Sequence, residues 1–93
     1  MDARAEVVVR PAEVADLAAI ARVHVRAFDG FFLTLLGEGF LREYYRLTLE
    51  HDGGLLLVAE SEGQVTGFAS GFLRPVAFYE RLSRSKWRLA PAI

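Results

Sequence analysis

Two apolar runs joined by a tight turn constrain this chain most. Leu55-Leu56-Leu57-Val58-Ala59-Glu60 leads into Ser61-Glu62-Gly63-Gln64, and Val65 to Leu73 follows. Runs of this length and composition favour extended backbone. Gly63 supplies the positive φ that a short hairpin turn needs. The sequence therefore predicts an antiparallel hairpin. Its first strand, apolar from Leu55 to Ala59, reads as buried on both faces. Its second strand places Thr66, Phe68, Ser70 and Phe72 on one face and Val65, Gly67, Ala69, Gly71 and Leu73 on the other. The small Gly67, Ala69 and Gly71 would admit close approach of a helix or a ligand.

The rest of the chain supplies one more strand and three helices. Glu6-Val7-Val8-Val9-Arg10 reads as a strand stopped by Pro11. A helix follows over about Glu13 to Phe28, with Asp16 favouring its first turn. At 100° per residue, Leu17, Ile20, Ala21, His24, Ala27 and Phe28 share one face, with Arg22 and Arg26 opposite. Asp29-Gly30 breaks that helix. The segment Phe31 to Leu36 is too apolar for an ordinary solvated loop. A second helix spans about Phe40 to His51, with Phe40, Leu41, Tyr44, Tyr45 and Thr48 inward. Asp52-Gly53-Gly54 is a turn. After the hairpin, Pro75 suits the first turn of a helix running to about Leu89. Its stripe is Phe78, Leu82 and Leu89, interrupted by Ser85, with Trp87 off it. The expected fold is α+β in the order β-α-α-β-β-α: a three-stranded, mainly antiparallel sheet with helices packed on it. Residues 1–93 form a single domain.

Charge and residue usage exclude several function classes. The chain has 93 residues, 53% of them hydrophobic, which is enough to collapse around one core. No apolar run approaches the ~18 residues of a membrane span, and no signal peptide is visible, so the expected location is cytoplasmic. The absence of Cys removes disulfides and thiolate zinc sites. His24 and His51 alone make no familiar metal cluster, so no metal is expected. Net charge is −1, which argues against a dedicated nucleic-acid binder. The charge is unevenly spread. Residues 1–73 carry a net −5, whereas residues 74–93 carry Arg74, Arg81, Arg84, Lys86 and Arg88 against Glu80 alone.

Several short motifs, taken together in order, resemble the N-terminal half of the GNAT acetyltransferase superfamily. They are Val9-Arg10-Pro11-Ala12, then Asp16-Leu17 with Ile20, Val23 and His24. Leu57-Val58-Ala59-Glu60 and Gly63-Gln64-Val65-Thr66-Gly67-Phe68 complete them. Phe31-Phe32-Leu33 with Phe40-Leu41 and Tyr44-Tyr45 is similar to a bacterial subgroup. The resemblance implies transfer of an acetyl group from acetyl-CoA to a small-molecule amine or a protein N-terminus. It also implies that the segment joining the first two helices borders the acceptor pocket, which makes Phe28, Phe31, Phe32 and Tyr44 candidate substrate-binding residues. The family's pyrophosphate loop has the pattern Arg/Gln-x-x-Gly-x-Gly/Ala before a helix. Gln64 to Ala69 fits that pattern, but between a turn and a strand rather than between a strand and a helix. No Gly follows Gly71. No cofactor-binding residue is therefore expected in this chain, and the chain alone is expected to be inactive.

The residues themselves leave alternatives. His24 is the one candidate for a catalytic base; in the middle of an apolar stripe it also reads as a hydrogen-bonded core histidine. The phenylalanines read as pocket wall, core or association surface. Tyr44 and Tyr45 offer hydroxyls to a substrate or to a core partner. Glu60 is a strand-end base or a solvated hairpin charge. The basic residues of 74–93 suit a phosphate or a solvated helix face. A different function class also remains: a non-catalytic module that homodimerises through the open edge of strand 65–73. A phosphate- or nucleic-acid-binding adaptor ranks last, given the acidic body.

Overall fold

The computed structural model describes residues 6–84. The hairpin is present as β2 (Gly54–Ser61) and β3 (Gln64–Phe72). Glu62 and Gly63 at the turn have φ of 53° and 77°, the two positive values of the turn that matches the strands' twist. Two expectations about the hairpin change. First, the register runs Val58 opposite Phe68 and Ala59 opposite Gly67, then Glu60 opposite Val65. Thr66 is the extra residue of a β-bulge, so Val65 joins the face of Phe68, Ser70 and Phe72. Val65 packs against the core, while Thr66 is exposed and donates its hydroxyl to the Ala59 carbonyl at 3.3 Å. Second, β2 is buried on one face only. Leu56 and Val58 are buried, whereas Leu55 is exposed and Leu57 half-buried. An unbroken aliphatic run cannot distinguish a doubly covered strand from one with a bare side.

β1 (Val7–Pro11) pairs antiparallel with β2, Arg10 opposite Val58, giving the sheet order β1-β2-β3. The first helical segment begins with a 3-10 turn at Val14–Asp16 and continues as α1 (Leu17–Ala27). Asp16 sits at this junction, buried, and accepts the Glu13 backbone N–H at 2.7 Å. Its two oxygens accept both terminal nitrogens of Arg10, at 2.8 and 3.0 Å, while Arg10 also donates to Glu60 at 2.8 Å. One guanidinium thus ties β1, the start of α1 and the end of β2 together. The expected solvated charge at Glu60 is a half-buried member of this cluster.

The Arg10 hydrogen bonds hold the Asp16 carboxyl below its ordinary range. A depressed folded value means that the unfolded chain takes up the proton first. The stabilisation is complete above about pH 4 and is lost as pH falls through the folded value. Asp16→Asn is expected to cost about 2 kcal/mol at pH 7. The gap from the parent should begin to narrow at about pH 3, where the unfolded chain's carboxyl is protonated and part of that stabilisation is lost. Urea titrations at the two pH values measure both effects.

The remaining elements are α2 (Phe32–Leu35), α3 (Glu38–Glu50) and α4 (Pro75–Arg84). The apolar segment after α1 is therefore a single helical turn rather than a loop. α1 and α3 pack on each other, with α1 against β3 and α3 against β2. Ile20, Ala21, Leu41, Leu47, Val58 and Phe78 are almost wholly removed from water. Leu47 is a core residue that the helical pattern did not single out. α4 docks through Phe78, stacked on Phe72 with ring centroids 4.0 Å apart, and Leu82 is half-buried beside it. Ser85, Trp87 and Leu89 lie outside the described residues.

Among the described residues, none covers the other sheet face. Val7, Val9 and Leu55 are exposed there, Val9 to 65%. A Cβ added at Gly71 would meet nothing within 4 Å, and one at Gly67 only the Ala59 methyl at 3.9 Å. The small residues of β3 therefore admit no helix among the described residues; they leave the face bare. Among those residues, no helix is long and apolar enough to cross a membrane, and no group of His, Asp and Glu could hold a metal ion.

Candidate functional site

The end of α1 meets β3 and α3 around a cavity of about 360 Å³. Its lining is His24, Phe28, Phe31 and Leu33 on one side and Tyr45, Phe68 and Ser70 on the other. Local chemistry fixes this corner. Gly30, at φ 84°, turns the chain after α1. The Phe31 N–H then returns to the Phe28 carbonyl at 3.0 Å, and the Thr34 hydroxyl donates to the same carbonyl at 2.7 Å. That double anchor sets the Phe28 and Phe31 rings 5.5 Å apart. Phe31 remains 62% exposed, so the aromatic wall stands at the mouth of the cavity.

His24 forms the inner wall. It is buried, its ring 4.9 Å from Phe28 and parallel to Phe68 at 6.2 Å. Nδ1 lies 2.7 Å from the Tyr45 hydroxyl. Burial pushes the histidine's affinity for a proton down and the Tyr45 hydroxyl's pKa up. At neutral pH both groups are therefore uncharged. Among the described residues Tyr45 has no other hydrogen-bond partner, and a buried hydroxyl proton left without an acceptor is costly. With the hydroxyl donating to Nδ1, the histidine's own proton sits on Nε2. Toward a ligand, His24 then presents a hydrogen-bond donor rather than a base. The depressed folded value also means that stability declines as pH falls below about 6.5, where the unfolded chain protonates first.

Three of the residues singled out from the sequence, His24, Phe28 and Phe31, meet at this cavity. Tyr44 does not: it is half-buried between Phe40, Tyr45 and Phe78, with ring centroids 5.1 to 6.4 Å away. Its neighbour Tyr45 takes the place at the site. Phe32 opens α2, and its side chain lies outside what the structure describes. Of the basic residues, Arg81 pairs with Glu50 at 3.5 Å, while Lys86 and Arg88 lie outside the described residues. Leu33, Phe68 and Ser70 are lining residues that the sequence reading did not place, and Tyr45, whose hydroxyl it offered to a substrate or a core partner, was not paired with His24 there. One signal for Tyr45 was present: a histidine within a buried stripe requires a polar partner.

The pyrophosphate-like pattern from Gln64 to Ala69 lies inside β3. It offers no helix N-terminus and does not fit a coenzyme A pyrophosphate. A scan of protein-family models and searches of curated proteins and of solved structures each found no match.

Proposed function

We propose that this chain forms the acceptor side of a GNAT-type N-acetyltransferase. The observation that carries the reading is the cavity where the α1–α2 junction meets β3, with an aromatic mouth and the His24–Tyr45 pair within. The fold agrees with it. Two longer helices lie between β1 and the hairpin, and they cover one face of an antiparallel sheet. In such transfer a neutral amine attacks the thioester carbonyl carbon, the C–S bond breaks, and the amine's surplus proton leaves with the thiol or through water. The residues of this chain would contribute positioning. Phe28, Phe31 and Phe68 exclude water from the acceptor's apolar body, and the Nε2 proton of His24 holds an acceptor oxygen or carbonyl. Acetyl-CoA binding falls to residues other than these.

Titration of the isotope-labelled chain with benzylamine tests the reading. Amide shifts are expected at His24, Phe28, Phe31, Tyr45, Phe68 and Ser70, and Phe28→Ser should weaken them about tenfold. Shifts elsewhere, or none, would overturn the assignment. Thiol release from acetyl-CoA should remain at the enzyme-free rate, and sustained release would contradict the division of labour.

A second reading rests on the sheet. β3 pairs with β2 alone among the described residues, and the adjoining face exposes Val7, Val9 and Leu55. A non-catalytic homodimer joined along that edge would scatter light with twice the 10.4 kDa mass.

A further inference from the structure

A second and larger cavity, about 880 Å³, lies on the other side of α1. Its floor is aliphatic: Ala15 of the 3-10 turn, then Ala19, Val23 and Ala27 along α1, with Val65 of β3. The eleven residues of α1 span about 16 Å, so the floor has the length of about five extended residues. Among the described residues no aromatic ring lines it, so they offer no stacking surface for a nucleotide base. Arg22 and Arg26 form one wall, and Gln64 and Thr66 on the hairpin lie opposite.

The two ends of this groove differ electrically. At one end Arg10 is fully engaged by Asp16 and Glu60. At the other, Arg22 and Arg26 are exposed and make no ion pair or side-chain hydrogen bond among the described residues. Unpaired arginines occur elsewhere on the surface, but these two share one cavity. Spaced i,i+4, they stand about 6 Å apart. That matches the spacing of alternate side chains along an extended strand, about 6.6 Å. The Gln64 side chain has no partner among the described residues either, and its amide can bond a peptide backbone.

We propose that this groove binds an extended acidic peptide, with carboxylates at alternate positions seated on Arg22 and Arg26 and apolar side chains on the alanine–valine floor. The occupant is chosen by charge complementarity and by length: a lone phosphate would satisfy the arginines and leave the aliphatic floor in water. The groove is separate from the cavity at His24, and the proposal does not depend on the acetyltransferase reading.

The test titrates the labelled full chain with a blocked peptide of alternating glutamate and valine, beside its lysine–valine counterpart and inorganic phosphate. The acidic peptide should shift amides in residues 15–27 and 63–66. Its affinity should fall with added salt, and by at least about tenfold in the double variant Arg22→Ala, Arg26→Ala. Both arginines are exposed, so the variant should keep the parent's spectrum elsewhere. The proposal is overturned by absence of shifts, by equal binding of the lysine peptide, by undiminished binding to the double variant, or by phosphate giving the same shifts at lower concentration.

Discussion

Phe78→Ala is expected to lower the stability of this chain by about 4 kcal/mol, a large part of the 5–15 kcal/mol typical of a domain. Phe78 is the sole fully buried residue of α4 among the described residues, and it is wholly removed from water. It stacks on Phe72 and meets Tyr44 and His51 edge-on at 5.8 and 5.4 Å. Truncation removes those contacts and leaves a cavity beneath the helix. One effect opposes the loss. His51 Nε2 is buried with no partner among the described residues, and water entering the cavity could reach it. That relief is about one hydrogen bond, roughly 1 kcal/mol, so the loss dominates. Urea unfolding gives the total. Spectral changes confined to α4, the end of α3 and the end of β3 would show that the sheet persists while the helix detaches. A loss below about 1 kcal/mol would mean that α4 is not docked as described.

Gly54→Ala should cost about 3 kcal/mol for a different reason. Gly54 begins β2 immediately after α3, and its N–H donates to the His51 carbonyl at 2.9 Å. A Cβ there would collide with the Thr48 carbonyl oxygen and lie 3.1 Å from that of His51. Both obstacles are backbone, and Thr48 is fully buried, so neither can swing aside. The end of α3 must move away from the sheet. Gly71→Ala is the control: the added methyl meets nothing, and stability should stay within about 0.5 kcal/mol of the parent. Equal losses at the two positions would refute the steric account.

The sequence made legible whatever depends on short-range chemistry. The Glu62-Gly63 turn, the breaks at Asp29-Gly30 and Asp52-Gly53, and the amphipathic stripes of α1 and α3 are local, and their elements formed within a few residues of expectation. Contacts across the sheet were less legible. The bulge at Thr66 depends on how β3 meets β2, and a one-residue slip changes which side chains face the core. Arg10 read as a strand terminus, because its partners Asp16 and Glu60 lie 6 and 50 residues away. At the candidate site, the helical period brought His24 and Phe28 to one face. It did not separate Tyr44 from Tyr45: adjacent residues differ by 100° on a helix, and only the position of α1 decides which hydroxyl reaches the imidazole.

The sheet order has a consequence for how water exchanges with the backbone. Among the described strands β2 alone has neighbours on both sides, so its amides should be protected from hydrogen exchange along nearly its whole length. β1 and β3 each turn alternate amides outward. Their exchange should therefore alternate residue by residue, fast then slow, and the alternation in β3 should lose step at Thr66, where the bulge shifts which amides face β2.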